Sequence, residues 1–194
     1  MIHYLINELT TELKSLNFVD RCYGVVYPLW KTTINEKGVK SLHTIPIYAN
    51  ADKTCNTDGY VDCVPNSDYK SCIYFETSNE VISEESRGSQ LITDVDVRMV
   101  CWFNLALINS TMITGEGLIR TLIHTVLNAN LSVSNVIEVK ELLYRKPEIF
   151  NPYTYNEAEK QFLIYPYEFG AVDFNISLIY NICDNEPIIS PKCF

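Results

Sequence analysis

The stretch from Leu91 to Ile108 constrains this chain most, because it keeps a two-residue period and then abandons it. Val95, Val97, Met99, Cys101 and Phe103 alternate with Asp94, Asp96 and Arg98, after which Val100 and Trp102 turn the second face apolar as well. Successive strand side chains point to opposite faces, so this pattern predicts a sheet half-exposed where the strand starts and more deeply buried where it ends.

Such a sheet needs cover, and two amphipathic segments can supply it. Ile2, Leu5, Ile6, Leu9, Leu13 and Leu16 recur at spacings of three and four, with Glu8, Glu12 and Lys14 on the opposite side. A second helix is predicted after Thr114, a suitable N-cap, with Leu118, Ile119, Leu122, Ile123, Val126 and Leu127 on its apolar face and a stop near Asn128–Asn130.

Further strands are predicted at Arg21–Thr33, Val39–Tyr48, Tyr69–Thr77 and Val172–Cys183. The first two form a hairpin through Asn35-Glu36-Lys37-Gly38, where Gly38 supplies the positive φ of the turn. Pro28 and Pro46 lack an amide donor, so each is expected at an edge, an end or a bulge. Residues 49–68 and 83–90 read as polar loops, and Val136–Tyr144 reads as either a short strand or a helical turn. The expectation is one α+β domain over residues 1–194, a mostly antiparallel sheet packed by an N-terminal helix and a second central helix.

Residues 145–170 differ in kind, with three prolines and seven aromatics in one irregular run. Segments of this sort tend to be functional arms, and aromatic side chains are the usual anchors of protein interfaces. Phe150, Tyr153, Tyr155, Phe162, Tyr165 and Tyr167 are the candidate subunit contacts on this extended arm. The competing reading is an arm folded back on its own core.

Charge and motifs narrow the function. With 24 acidic residues against 15 basic ones and a net charge of −9, the chain is a poor phosphate neutraliser. An acidic wall nevertheless suits a passage along which DNA slides without sticking. No apolar run is long enough to span a membrane, and the N-terminus lacks the basic start and apolar run of a signal peptide, so a protein made in a cytoplasm is expected.

The seven cysteines contain no CxxC pair. Cys22, Cys72, Cys101 and Cys183 lie in strand-like runs and read as buried hydrophobes, whereas Cys55 and Cys63 lie in a polar loop where a bridge or a metal is the less favoured alternative. Asp52, Asp58, Asp62 and Asp68 do not have calcium-loop spacing around Gly59. His3, His43 and His124 are far apart, His124 reading as a half-buried structural histidine. Glu116 spoils the anion site that Gly115 and Gly117 suggest, and no hydrolase or phosphate-binding motif is present. No enzyme activity, cofactor or metal is expected.

The element order and the opening LINELTTELKSLNFVDRCYGVVYPLW, a helix running directly into a strand, resemble the tail-terminator and tail-completion proteins of tailed bacteriophages and the related head–tail connector rings. The helix at Leu118–Leu127, after a long strand, matches the place where that family packs a helix across its sheet. The resemblance covers about residues 1–130 and the last strand. It implies a virion protein made in the host bacterial cytoplasm, forming a homo-oligomeric ring with other neck and tail proteins around double-stranded DNA. Asp52, Asp58, Asp62, Glu84 and Glu85 are then the acidic candidates for a lumen or a neighbouring subunit. The long 49–68 loop and the 145–170 arm exceed a minimal member of that family. The alternatives are a small monomeric adaptor that grips one partner through its aromatic arm and, ranked lowest, a hydrolase using Cys or carboxylates.

Overall fold

The computed structural model describes residues 2–34, 38, 40–49, 60–87, 90–108, 114–133, 135–151, 153–154 and 161–181. The alternating stretch is the central strand, β6 (Gln90–Asn104), of a five-stranded sheet. It lies antiparallel between β5 (Ser71–Arg87) and β8 (Tyr167–Asn181). β1 (Arg21–Val25) runs parallel to β5 at one edge, and β7 (Asn135–Tyr144) runs antiparallel to β8 at the other. The strand order is therefore β1-β5-β6-β8-β7, and the protein is α+β with a mostly antiparallel sheet.

Both predicted helices pack on one face of this sheet. α1 (Ile2–Lys14) buries Leu5, Ile6, Leu9 and Leu13, and α3 (Gly115–Leu127) buries Leu118, Ile119, Leu122 and Val126. They meet Ile73, Phe75, Val97, Met99, Cys101, Phe103, Val172 and Phe174 in one core. Each such aliphatic side chain contributes about 1.5–3 kcal/mol by leaving water. Thr114 caps α3 as expected, its hydroxyl accepting the Gly117 amide at 3.1 Å.

The other face is divided as the sequence pattern demands. Val100 and Trp102 on β6 join Cys72, Tyr74, Phe169 and Ala171 in a second core. Beyond them the same face carries Asp94, Asp96 and Arg98, flanked across the register by Glu76, Asp173 and Asn175.

Part of the cover of the second core is a small sheet of β2 (Tyr27–Ile34), β3 (Lys40–Ala49) and β4 (Tyr60–Asp62), in the order β2-β3-β4. The predicted hairpin is present, and Gly38 takes φ +76. The single strand expected at Arg21–Thr33 is instead two, divided at Val26. Its amide donates to Phe75 O at 2.8 Å, and beyond it the chain passes into the second sheet. Pro28 and Pro46 face each other across the ladder, and the Pro46 carbonyl points away from β2 to accept the Cys63 amide at 2.8 Å. In an antiparallel ladder this marks a non-hydrogen-bonded pair, so neither ring interrupts the β2–β3 bonds and Pro28 faces the open edge of β2.

Several expectations are corrected. Residues 60–62 of the supposed loop pair with β3 as β4. Residues 83–87 and 90 are strand, because pairing with Leu91–Asp94 overrides the local preference of an acidic, serine-rich segment for a loop. Leu105–Ile108 leaves the strand and forms a short helix, α2. Val136–Tyr144 belongs to strand β7 and does not form a helical turn.

The segment 145–170 is not an extended projection in its described parts. It makes 3-10 turns at Pro147–Phe150 and Gln161–Leu163 and enters β8 at Tyr167. Ile149, Phe150 and Tyr153 are buried in the second core, which otherwise would leave Tyr74, Val100 and Trp102 facing water.

Candidate interaction surfaces

The aromatic candidates of residues 145–170 have separate fates. Phe150 stacks at a tilt on Phe169, and Tyr153 meets Tyr74 edge-on. Tyr167 stacks on Trp102 and Phe162 meets both rings edge-on, and the Trp102 indole nitrogen donates to the Phe162 carbonyl at 2.7 Å. These four rings pack the protein's own second core, because an apolar sheet face gains more from internal cover than from waiting for a partner. Tyr165 is different: it is 78% exposed beside Ile164, also exposed. Tyr155 lies outside the described residues.

Asp52 and Asp58 also lie outside the described residues. Asp62 on β4 is ion-paired with Lys31 of β2 at 2.5 Å, so its charge is compensated within the small sheet. Glu84 and Glu85 are backbone members of the β5–β6 hairpin, in register with Thr93 and Ile92. Cys63 is free and fully buried, its thiol directed to Val61 O, so the polar-loop reading of this residue does not hold. His3 lies against Tyr27 and His43 contacts Ser41, while His124 is exposed on α3 instead of half-buried. Among the described residues no cluster of His, Cys, Asp and Glu is arranged to hold a metal, and no helix is long and apolar enough to cross a membrane.

Two surfaces stand out, and only the first of them escaped the sequence reading. The first is one face of the β2–β3 hairpin. Strict alternation with no register shift puts Trp30, Thr32 and Ile34 of β2 on the same face as Thr44, Leu42 and Lys40 of β3. Trp30, Leu42 and Ile34 are diagonal neighbours there and stand 67%, 58% and 63% exposed. The signal was present in YPLWKTTI, where Leu29 and Trp30 are adjacent: a strand with large apolar residues on both faces needs cover on both sides.

The second is the open half of the five-stranded sheet. Arg98 clasps Asp173 through both carboxylate oxygens at 2.7 and 2.9 Å, and Lys140 reaches Asp96 at 2.5 Å. Glu76, Glu141 and Glu138 stand in register with these pairs, and Asp94 accepts the Ser177 hydroxyl. Carboxylates outnumber the cations Arg98, Lys140 and Lys146, the last lying 3.6 Å from Glu141, so the face is acidic. A groove of about 470 Å³ runs between Glu76, Arg98, Asp173 and Lys140.

Glu76 is the least conventional group in it. Burial pushes its carboxyl up to about 7, against the opposing pull of the Tyr153 hydroxyl and Arg98. One of its oxygens is buried without a hydrogen-bond partner. Asp96 goes the other way, held low first by the hydrogen bond from Lys140.

Serine hydroxyls lie beside basic groups at Ser177, which donates to Asp94 at 2.5 Å, and at Ser41, 2.8 Å from His43 Nε2, but these pairs are in different sheets. Burial raises the thiols of Cys22, Cys63, Cys72 and Cys101, which makes them poor nucleophiles. What the arrangement offers is contact: an apolar hairpin face, and an acidic sheet face. The sequence matches no protein-family model and no curated protein.

Proposed function

We propose that this protein is a structural subunit of a ring in the neck or tail of a tailed bacteriophage virion, joining head to tail and surrounding the DNA passage. The reading starts from the resemblance in element order, a helix leading into a sheet and a second helix packed after the long strand. It is supported by a division of labour in the fold. Both large helices lie on one face, and the hairpin exposes Trp30, Ile34 and Leu42 on another. That hairpin face carries the proposal, since large contiguous apolar groups left on a surface mark association sites.

The acidic character of the chain fits a component past which double-stranded DNA moves without specific binding. Partners under this reading are further copies of the chain and other neck and tail proteins, with synthesis in the host bacterial cytoplasm.

The test is the native mass by light scattering, combined with negative-stain images of the purified protein and mass spectrometry of virions. A closed multimer with a central opening, and peptides of the chain in purified virions, are expected. A strictly monomeric protein missing from virions sinks the reading. The adaptor reading draws on the exposed Tyr165 and Ile164, and it requires a monomer that binds a foreign partner.

A further inference from the structure

We infer that the exposed face of the β2–β3 hairpin docks on the open acidic face of the five-stranded sheet in a second copy of the chain. This inference rests on the ring reading and names the two patches that would close the ring.

The hairpin face is an apolar stripe of Trp30, Leu42 and Ile34 that ends in a cation, since Lys40 stands opposite Ile34 in the ladder. Lys40 is the cation of this face, because Lys31 lies on the opposite face of the hairpin and is paired with Asp62. The edge of β2 is a poor docking element, because Pro28 has no amide to offer there. Contact through the face is therefore favoured over edge-to-edge strand addition.

The proposed receiving surface has the complementary composition. On the open half of the sheet Val136 is 48% exposed, and Ile92 and Ile179, in register with each other, are partly exposed. Asp94 and Glu138 lie on the same face within one or two rows of them. Apolar groups rimmed by carboxylates suit an apolar stripe tipped by an ammonium, and opposite charges fix the register of such a contact. The two patches are different surfaces of one chain. Their union is heterologous, the kind of interface that generates rings when the rotation closes.

The experiment uses the full chain in light scattering across a dilution series, with circular dichroism to verify folding. The variant W30S/L42S is expected to associate roughly thirtyfold more weakly, the scale of losing a hot-spot pair. K40E and E138K should each weaken assembly, and K40E/E138K should recover most of it, which loss of folding would not allow. Mixing K40E with E138K should restore mixed oligomers, because every contact between unlike copies again joins opposite charges.

Wild-type oligomers unchanged in W30S/L42S overturn this inference and leave the ring reading standing. Loss in K40E that E138K does not restore overturns the assigned receiving face. A wild type that stays monomeric at all concentrations overturns the ring reading and this inference with it, and hands the stripe to a different partner.

Discussion

The indole of Trp102, on the central strand, donates its only proton to the carbonyl of Phe162 at 2.7 Å, tying residues 161–163 to the sheet. Trp102 is essentially inaccessible, with Tyr167 stacked on it and Phe162 edge-on. Replacing it with Phe keeps the aromatic volume roughly and orphans that carbonyl, which costs about 1–3 kcal/mol. Trp102→Ala adds a cavity and is expected to cost about 3–5 kcal/mol. Urea denaturation followed by far-UV circular dichroism measures both, and an unchanged midpoint in the Ala variant would contradict the described packing.

Glu76 imposes a pH dependence of definite sign. Its folded pKa is about 7, against an ordinary 4.5, so the native state holds a proton that the unfolded chain releases between those values. The contribution is full below pH 4.5 and is lost as the pH rises through 7, a change on the order of 3 kcal/mol. Glu76→Gln should remove this slope and stabilise the protein at pH 8 relative to wild type. Thermal melts from pH 5 to pH 8 on both proteins test it, and parallel curves would count against a buried, proton-binding Glu76.

Gly170 is required by close approach. A Cβ there would overlap Ile119 Cδ1 and lie 2.9 Å from the Leu143 carbonyl oxygen, which is held in the β7–β8 ladder. Gly170→Ala is expected to destabilise by about 1–3 kcal/mol. Adding Ile119→Val should recover only part of the loss, because the carbonyl cannot move aside. Calorimetry on the three variants separates the two contacts.

The buried thiols supply a labelling prediction. Cys22 and Cys72 are pushed up to about 12 by burial, and burial raises Cys63 and Cys101 as well. A short iodoacetamide pulse at about pH 7.5 should leave these four unmodified in the native protein and label them after denaturation. Tryptic mass spectrometry reads the result, and rapid native labelling of Cys101 would contradict its place between sheet and helices.

Local pattern made much of the framework legible. The helical stripes at Ile2–Leu16 and Leu118–Leu127 each point one way whatever they pack on. The switch at Val100 correctly divides the outer sheet face into a wet half and a covered half. Less legible was anything whose state depends on a distant partner. The segment at 83–90 looks like loop until Leu91–Asp94 is placed beside it. Cys63 looks exposed until the small sheet buries it.

Aromatic enrichment at 145–170 signalled large buried area and said nothing of whose surface would be covered. Phe150 and Tyr153 fill the chain's own core, whereas Trp30, Ile34 and Leu42, in an ordinary-looking hairpin, remain in water.

By itself, then, the sequence determined the fold class, both packed helices, the Gly38 turn and the two-sided character of the central strand. Those follow from periodicity, which is a property of neighbours a few residues apart. The tertiary structure decided the strand order, the break at Val26 that sends β2 into a second sheet, the inward folding of residues 147–153 and the exposure of the hairpin face. These depend on which apolar surfaces find each other across long stretches of chain, and burial is non-directional, so no local pattern names the partner.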